Sequence, residues 1–309
     1  MKSILVTGGA GFIGSNLVKK LIEEGFEVIV LDNLITGKKE NLPKDDRLTF
    51  IEGDILDYAL LESLIKKANV VIHLAAMISV PDSIKHPEEC FKINLEASKK
   101  IIDVCLKNNV VFMFASSAAV YGEDKSPIKS EESSSNPISP YGKSKLLVEE
   151  YCASLKDRGL RFVCFRNFNV YGPRQAIDSA YAAVIPKFIE RALVNQELII
   201  FGDGEQTRDF IFVSDVIDAF LQVIRKPDNF NDFFNLGSGK TVTISQLAKL
   251  IIAKTNSSSK ITFLPARKGD IKHSTASIQK IKAKGWEPKT SLEKGLLKTI
   301  NYYKKLLQD

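Results

Sequence analysis

Long apolar segments are missing from this chain of 309 residues, although 44% of its residues are hydrophobic. No apolar run reaches the roughly 20 residues that a membrane-spanning helix needs, so we expect no membrane segment. The apolar stretch after Met1 and Lys2 is short and is soon broken by glycine, which argues against a signal peptide. The cytoplasm is therefore the default location.

Cysteine and histidine are scarce, with four and three residues respectively. The cysteines, at positions 90, 105, 152 and 164, include no Cys-x-x-Cys pair. We therefore expect buried, reduced thiols and no metal site. The net charge of +6 is not gathered into a basic run interleaved with aromatic residues, so nucleic acid is not a predicted partner. A mild positive field suits an anionic small substrate instead.

Strand-like and helix-like segments alternate through the first half of the chain. Strands are predicted at residues 4–7, 27–31, 48–52, 70–76, 110–116 and 161–168, and helices at residues 12–24, 60–67, 87–107 and 143–156. Continuous apolar strands such as Val70–Ile72 indicate a parallel sheet that is buried on both faces. We therefore predict an α/β fold with a Rossmann-type, doubly wound parallel sheet.

The regular alternation ends near residue 166, where loops lengthen and helices mix with short strands. No segment rich in proline, glycine and serine separates the two halves. We predict a sheet domain at residues 1–166 and a smaller mixed α/β lobe, mainly for substrate binding, at residues 167–309. The chain is expected to return to the sheet domain near residues 210–225.

A glycine-rich turn, Gly8–Gly14, follows the first predicted strand and opens a helix. Glycine lets the backbone approach a pyrophosphate closely, and the helix N-terminus presents N–H groups to the phosphates. The second predicted strand ends in Asp32, an acid that can bind both adenosine ribose hydroxyls and would repel a 2′-phosphate. Residues 1–166 are therefore predicted to bind NAD rather than NADP.

Tyr141 and Lys145 lie four residues apart at the start of a predicted helix, so their side chains share one face. A free tyrosine has a pKa near ~10, and a nearby ammonium and an oxidised nicotinamide would both favour the phenolate. Ser116 and Ser117 stand at the end of the fifth predicted strand, and a serine hydroxyl there can share a proton with Tyr141. We predict Ser117, Tyr141 and Lys145 as the catalytic residues.

The motifs of the chain, taken in order, resemble the extended short-chain dehydrogenase/reductases that modify nucleotide sugars, in particular the NAD-dependent epimerases acting on UDP-glucose or UDP-N-acetylglucosamine. The matching segments are Thr7–Gly14, His73–Ala76, Ser116–Gly122, Tyr141–Lys145, Arg166–Pro173, Thr207–Phe210 and Arg267–Asp270. The resemblance implies NAD as cofactor, a UDP-sugar as substrate, and a homodimer formed through the helices near residues 90–107 and 143–156.

The resemblance also implies which residues bind the two molecules. The residues expected to contact NAD are Gly8, Gly11, Phe12, Ile13, Gly14, Asp32, Asn33, Gly37, Lys38, Asp54, Ile55, Leu74, Ala75, Ala76, Asn94, Ser116, Tyr141, Lys145 and Phe168. Those expected to contact the UDP-sugar are Ser79, Val80, Ser117, Tyr141, Asn169, Ala183, Val184, Phe201, Arg208, Phe210, Arg267, Asp270 and Ser274. Arg208 and Arg267 are expected near the diphosphate, since arginine can bind phosphate oxygens in bidentate fashion.

Ser274 occupies a position that, by the same resemblance, limits the size of the sugar. A tyrosine there restricts family members to plain hexoses, whereas a smaller residue admits N-acetylated sugars. The alternative is that Ser274 caps a helix that starts near Thr275.

Ala118 and Ala119 distinguish between the reactions of the family. Sugar 4,6-dehydratases carry an Asp-Glu pair at these positions and UDP-glucuronate decarboxylases carry a Glu in this segment, whereas alanine transfers no protons. The resemblance therefore implies a 4-epimerase that interconverts UDP-glucose and UDP-galactose, with UDP-GlcNAc and UDP-GalNAc as a further pair. The alternatives are a UDP-glucuronate 4-epimerase, a nucleotide-sugar dehydratase, or a non-enzymatic NAD-binding regulator, which the intact Ser117, Tyr141 and Lys145 oppose.

Overall fold

The computed structural model describes residues 2–124, 126–177, 183–266 and 272–307. The strands are β1 (Ser3–Thr7), β2 (Glu27–Asp32), β3 (Leu48–Glu52), β4 (Val70–His73), β5 (Val111–Ser117), β6 (Ile128–Lys129), β7 (Phe162–Asn167), β8 (Asn169–Tyr171), β9 (Leu198–Phe201), β10 (Thr207–Arg208), β11 (Phe210–Phe212), β12 (Asp232–Leu236), β13 (Val242–Thr243), β14 (Ile261–Leu264) and β15 (His273–Ala276).

Eleven α-helices are found within these ranges. They are α1 (Phe12–Glu23), α2 (Tyr58–Ile65), α3 (Val80–Lys85), α4 (Pro87–Phe91), α5 (Ala97–Lys107), α6 (Pro140–Ser154), α7 (Val184–Leu193), α8 (Val213–Arg225), α9 (Ile244–Thr255), α10 (Gln279–Lys282) and α11 (Leu292–Leu306). A π-helical turn, Lys92–Glu96, joins α4 to α5. None of the helices in the described part of the chain is long and apolar enough to cross a membrane.

Seven parallel strands form the central sheet in the order β12-β7-β5-β4-β1-β2-β3. The strand order reverses between β1 and β4, and ligands of such sheets bind at the carboxyl ends of the strands beside this reversal. The predicted fold class is confirmed. The predicted strand at residues 70–76 is too long, because the sheet pairing of β4 ends at His73.

The central sheet is apolar on both faces because helices cover both of them. Along β1, Ile4 and Val6 belong to the core layer that contains the apolar side chains of α1 and α8, whereas Leu5 belongs to the layer of α2, α5 and α6. This alternation follows from the two-residue period of a strand. Because the strands are parallel, their carboxyl ends all lie along one edge of the sheet, the sheet rim.

Shorter strands form the remaining sheets, in the orders β13-β10-β15-β6, β11-β8 and β14-β9. After this lobe begins, the chain comes back to the central sheet: α8 packs against α1, and β12 pairs with β7 at the sheet edge. Residues 213–236 thus add one helix and one strand to the layers of the sheet, while the division into two domains stays a prediction.

Candidate active site

The glycine turn between β1 and α1 leaves no room for side chains. Gly8 has a φ of 72°, and a Cβ there would lie 2.7 Å from the backbone nitrogen of Ala75. A Cβ on Gly14 would collide with the carbonyl oxygen of Gly8. The first N–H groups of an α-helix have no acceptor within the helix. Within the described ranges no side chain at Gly11 caps α1 to supply one. Bare backbone before an uncapped helix fits the pyrophosphate of a dinucleotide.

Asp32 is buried at the end of β2, directly beside this turn. Its Oδ2 accepts a hydrogen bond from the backbone N–H of Ala10 at 2.9 Å, and its Oδ1 accepts one from Leu34 at 2.9 Å. A Cβ on Gly37 would lie 2.9 Å from Oδ1, and the N–H of Lys38 donates to the carbonyl of Ala10. Each carboxylate oxygen keeps a second acceptor site, so Asp32 is fixed in place yet can still bind ribose hydroxyls.

A second acid follows the neighbouring strand. Asp54 accepts a hydrogen bond from Asn33 Nδ2 at 2.8 Å and one from the N–H of Leu56 at 2.8 Å, next to the buried Ile55. The structure thus brings Asp32, Asn33 and Asp54 to one corner of the sheet rim, where the sequence predicts the adenosine end of NAD.

The first turn of α6 places Tyr141 and Lys145. Ser139 Oγ accepts the N–H of Gly142 at 3.1 Å, and Ser83 Oγ of α3 accepts the N–H of Tyr141 at 3.2 Å. Both N–H groups would otherwise lack partners at the helix start. The helix therefore begins at a fixed point, with the two predicted catalytic side chains one turn apart.

Lys145 is only 3% exposed. Its Nζ donates to the carbonyl oxygen of Ala115 at 2.9 Å and lies 4.5 Å from the ring centroid of Phe114 and 5.8 Å from that of Tyr141. Burial lowers the pKa of Lys145 from 10.5 to about 8, against the opposing negative potential of Cys90, Cys164 and Glu149. The fold holds this ammonium at an energetic cost.

The pKa of the Tyr141 hydroxyl is raised in the protein without cofactor. Burial raises the pKa of its hydroxyl, and a hydrogen bond with Ser117 only partly opposes this effect. We expected Lys145 and the nicotinamide to lower this pKa together. The ammonium of Lys145 donates to the carbonyl of Ala115 and lies 5.8 Å from the centroid of the Tyr141 ring, so the lowered pKa stays a prediction for the protein with NAD bound.

Ser117 lies at the end of β5, where it begins a short 3₁₀ turn. Its Oγ accepts the N–H of Ala119 at 3.1 Å, so the hydroxyl hydrogen remains directed elsewhere. Ala118 and Ala119 form the first two residues of that turn. The segment beside Ser117 and Tyr141 therefore carries no carboxyl group at these two positions.

Glu149 and Arg166 form a buried ion pair that sequence reasoning missed. Arg166 Nη2 lies 2.7 Å from Glu149 Oε2, and both side chains are almost fully buried. Glu149 Oε1 also accepts the hydroxyl of Ser116, which precedes Ser117 on β5. The spacing of Tyr141, Lys145 and Glu149, at steps of four along α6, was the signal that could have revealed this acid.

Asn94 sits on the π-helical turn and is buried. Its Oδ1 accepts the N–H of Met77 at 2.8 Å, while its Nδ2 donates to the carbonyl of Met77 at 3.0 Å and lies 3.3 Å from Ser144 Oγ. Because protein groups already use its amide, Asn94 is placed to hold the loop after β4 rather than to contact a ligand directly. Its contact with NAD stays a prediction.

Three of the predicted substrate residues lie on short strands outside the central sheet. Asn169 Nδ2 donates to the carbonyl of Asp209 at 2.8 Å, and Arg208 pairs with Ser274 where β10 runs beside β15. Ser274 is therefore a strand residue, and the alternative that it caps a helix is wrong. Arg267 and Asp270 lie outside the described residues.

The other predicted contacts occupy the ends of elements. Ser79 accepts the N–H of Asp82 at 3.2 Å as the cap of α3 and precedes Val80, the first residue of that helix. Ala183 precedes Val184 at the start of α7. Phe201 ends β9, Phe210 begins β11, and Phe168 is buried between β7 and β8. Leu74, Ala75 and Ala76 follow β4.

Comparison with known proteins identifies the family. Residues 4–237 match the model of the NAD dependent epimerase/dehydratase family. The chain belongs to this family. A putative UDP-glucose 4-epimerase of Methanocaldococcus jannaschii is 40% identical over 97% of the chain and 98% of its own length. A UDP-N-acetyl-alpha-D-glucosaminuronate decarboxylase of Bacillus cytotoxicus is 34% identical over 100% and 99%.

Solved structures of epimerases superimpose closely on this member of the family. A UDP-glucose 4-epimerase of Thermotoga maritima with UDP-glucose has a TM-score of 0.93 and 41% identity, with 99% of each chain covered. A UDP-N-acetylglucosamine 4-epimerase of Methanobrevibacter ruminantium in complex with UDP-N-acetylmuramic acid has a TM-score of 0.94 and 40% identity over 99% of each chain. A Thermus thermophilus UDP-glucose 4-epimerase complex with NAD has a TM-score of 0.89 and 33% identity over 98% and 99%.

Family membership and the fit of the glycine turn agree on the cofactor. NAD is the cofactor of this epimerase/dehydratase, as the sequence predicts. The chain is an enzyme of the family, and the resemblance drawn from its motifs is confirmed. The named relatives span more than one reaction, so the reaction of this chain has to be argued from its own residues.

Proposed function

We propose that this protein is a UDP-sugar 4-epimerase that interconverts UDP-glucose and UDP-galactose, and UDP-GlcNAc and UDP-GalNAc. The observation that carries the proposal is the site around Ser117, Tyr141 and Lys145, in which Ala118 and Ala119 stand next to the serine. These groups can move the proton of a sugar hydroxyl. Ala118 and Ala119 provide no carboxyl group that could eliminate water from the sugar or direct the loss of CO2.

Each catalytic group has a task that its surroundings support. When bound, NAD would supply the hydride acceptor and donor for C4 of the sugar. Tyr141 takes the proton of the 4-hydroxyl and later returns it, and the hydrogen bond to Ser117 favours its ionised form. The buried Lys145 ammonium adds positive charge beside the phenol ring, at 5.8 Å from its centroid.

Inversion at C4 requires the 4-keto sugar to present its other face to the same groups. The UDP part therefore has to be held while the sugar turns, and we assign this holding to Asn169, Arg208 and Arg267. A short side chain at Ser274 leaves space for the turning ring and for a 2-acetamido group. The likeness to the Methanobrevibacter UDP-N-acetylglucosamine 4-epimerase supports the wider substrate range.

The decarboxylase relative is the reason to test a second reaction. At 34% identity over the whole chain, it lies within the same family as the epimerase relatives. The absence of an acid at Ala118 and Ala119 favours epimerisation over decarboxylation.

The decisive experiment uses the purified protein with UDP-glucose, UDP-GlcNAc or UDP-glucuronate and without added NAD. We expect UDP-galactose and UDP-GalNAc to appear, measured by chromatography and proton NMR, because the hydride is returned and the cofactor is not consumed. Formation of UDP-galacturonate alone would favour the UDP-glucuronate 4-epimerase alternative. Release of CO2 from UDP-glucuronate, or a 4-keto-6-deoxy product from UDP-glucose, would overturn the proposal.

A further inference from the structure

His73 is a buried histidine whose ring lies between two hydroxyl groups at the end of β4. Its exposure is 1%. Nδ1 lies 2.6 Å from Thr7 Oγ1, and Nε2 lies 3.0 Å from Ser98 Oγ. The ring also stacks on Phe114, with centroids 5.8 Å apart. No reaction step assigned above uses this imidazole.

The position of the ring proton follows from the neighbouring bonds. Ser98 Oγ lies 2.6 Å from the carbonyl oxygen of Asn94, and two oxygens at that distance repel unless a hydrogen lies between them. The hydroxyl hydrogen of Ser98 therefore points to Asn94, so Ser98 can only accept from the ring. His73 consequently carries its proton on Nε2, and Nδ1 accepts the hydroxyl hydrogen of Thr7.

Thr7 confirms this direction from the other side. Its Oγ1 already faces the N–H of Ala75 at 3.4 Å, a donor that needs an acceptor. If Nδ1 carried the proton, Thr7 Oγ1 would accept twice and its own hydrogen would have no partner among the described residues. The chain of hydrogen bonds thus runs in one direction, from Thr7 through His73 and Ser98 to Asn94.

Thr7 and Asn94, at the two ends of this row of hydrogen bonds, hold the segment Leu74–Met77. At its start, the N–H of Leu74 donates to the carbonyl of Thr7 at 3.1 Å. At its end, Asn94 bonds both the N–H and the carbonyl of Met77. The middle of the segment packs directly against the glycine turn, since a Cβ on Gly8 would lie only 2.7 Å from the backbone nitrogen of Ala75.

We propose that His73 is a positioning residue for the dinucleotide site, which it serves as a neutral imidazole protonated on Nε2. Through Thr7 it fixes the residue before the glycine turn, and through Ser98 it fixes the π-helical turn that carries Asn94. The shape of the NAD site therefore depends on an imidazole that touches neither NAD nor substrate. The proposal depends on NAD binding and not on which sugar is the substrate.

The surroundings keep the ring neutral. Burial, and to a smaller extent the positive charge of Lys145, lower the pKa of His73 to about 3. The neighbouring rings of Phe112 and Phe114 carry no negative charge that could stabilise a doubly protonated His73. A second proton on Nδ1 would also face the donating hydroxyl of Thr7.

Nitrogen NMR tests the proton position. With only three histidines in the chain, His73 can be assigned by comparison with a His73→Phe variant. We expect the shifts of a neutral ring with Nε2 protonated, unchanged from about pH 5 to about pH 8, where an exposed histidine titrates. A ring protonated on Nδ1, or one that titrates in this interval, would overturn the assignment.

NAD affinity tests the positioning role. His73→Phe keeps an aromatic ring in the stack but removes both hydrogen bonds, and we expect the dissociation constant of NAD to rise on the order of tenfold. Thr7→Val and Ser98→Ala each remove one link and should raise it by roughly fivefold. Because these variants leave the ring in place, they keep the test valid if His73→Phe fails to fold.

The matched control is Thr299→Val in α11. Thr299 is also fully buried and its hydroxyl also makes one hydrogen bond, to the carbonyl of Gly295 at 2.8 Å. It should lower the unfolding temperature comparably to Thr7→Val while leaving NAD affinity unchanged. Equal NAD affinity in Thr7→Val, Ser98→Ala and Thr299→Val would refute the positioning role. Loss of epimerase activity is not a readout here, so failure of the proposed reaction would leave this test intact.

Discussion

Replacing Lys145 with methionine should make the ligand-free protein more stable at neutral pH while removing most of its activity. The pKa of Lys145 falls from 10.5 to about 8, so keeping the buried ammonium charged costs about 3 kcal/mol. Methionine loses the hydrogen bond to Ala115, which contributes about 1 kcal/mol. A net gain of about 2 kcal/mol in the free energy of unfolding remains.

The pH dependence of this gain has a fixed sign. Below about pH 8 the folded protein carries the buried charge and the cost is complete. Between about pH 8 and 10.5 the unfolded chain binds a proton that the folded protein has lost, and the advantage of methionine shrinks as the pH rises. Thermal unfolding of the ligand-free proteins, measured at several pH values from neutral to alkaline, should reproduce this convergence.

The control is Lys143→Met, which changes an exposed lysine of the same helix. It should leave the free energy of unfolding within about 0.5 kcal/mol of the parent. The reasoning is refuted if Lys145→Met is less stable than the parent at neutral pH, or if the difference between them does not change with pH. Either result would mean that the ammonium carries no net cost in the folded protein.

Three further predictions concern individual residues of the site. Tyr141→Phe should keep bound NAD but lower kcat at least about 100-fold, whereas Tyr151→Phe on the same helix should remain active; steady-state kinetics with UDP-glucose decide this. Because Asp32 repels a 2′-phosphate, mass spectrometry of the cofactor released on denaturation should find NAD, and recovered NADP would contradict that role. Ser274→Tyr should remove turnover of UDP-GlcNAc and retain that of UDP-glucose; a variant that handles both sugars as before would disprove the size limit.

The parts of the fold that could be predicted are those fixed by local sequence. The glycine turn, the apolar strands and the helix that begins at Phe12 follow from steric freedom and hydrophobic period over a few residues, and the central sheet and NAD were predicted correctly. Helix α9, Ile244–Thr255, begins at a capping box formed by Thr243 and Gln246, which is a local signal of the same kind.

The parts that escaped prediction depend on contacts between distant segments. Arg166 meets Glu149 and the hydroxyl of Tyr121 only after β5, β7 and α6 have packed together. Ser274 becomes a strand residue because Arg208, far away in sequence, supplies a partner strand. The raised pKa of Tyr141 reflects burial, which spacing along a helix does not reveal.

The place of β7 in the sheet, between β5 and β12, decides how this protein can be divided. A chain ending at residue 166 would lack β12, so the outer edge of β7 would lose its hydrogen-bonded partner and the apolar side chains of Phe234 and Leu236. An unpaired apolar edge invites association with other chains. We therefore expect residues 1–166 alone, produced by proteolysis or recombination, to aggregate rather than to fold as a separate NAD-binding unit.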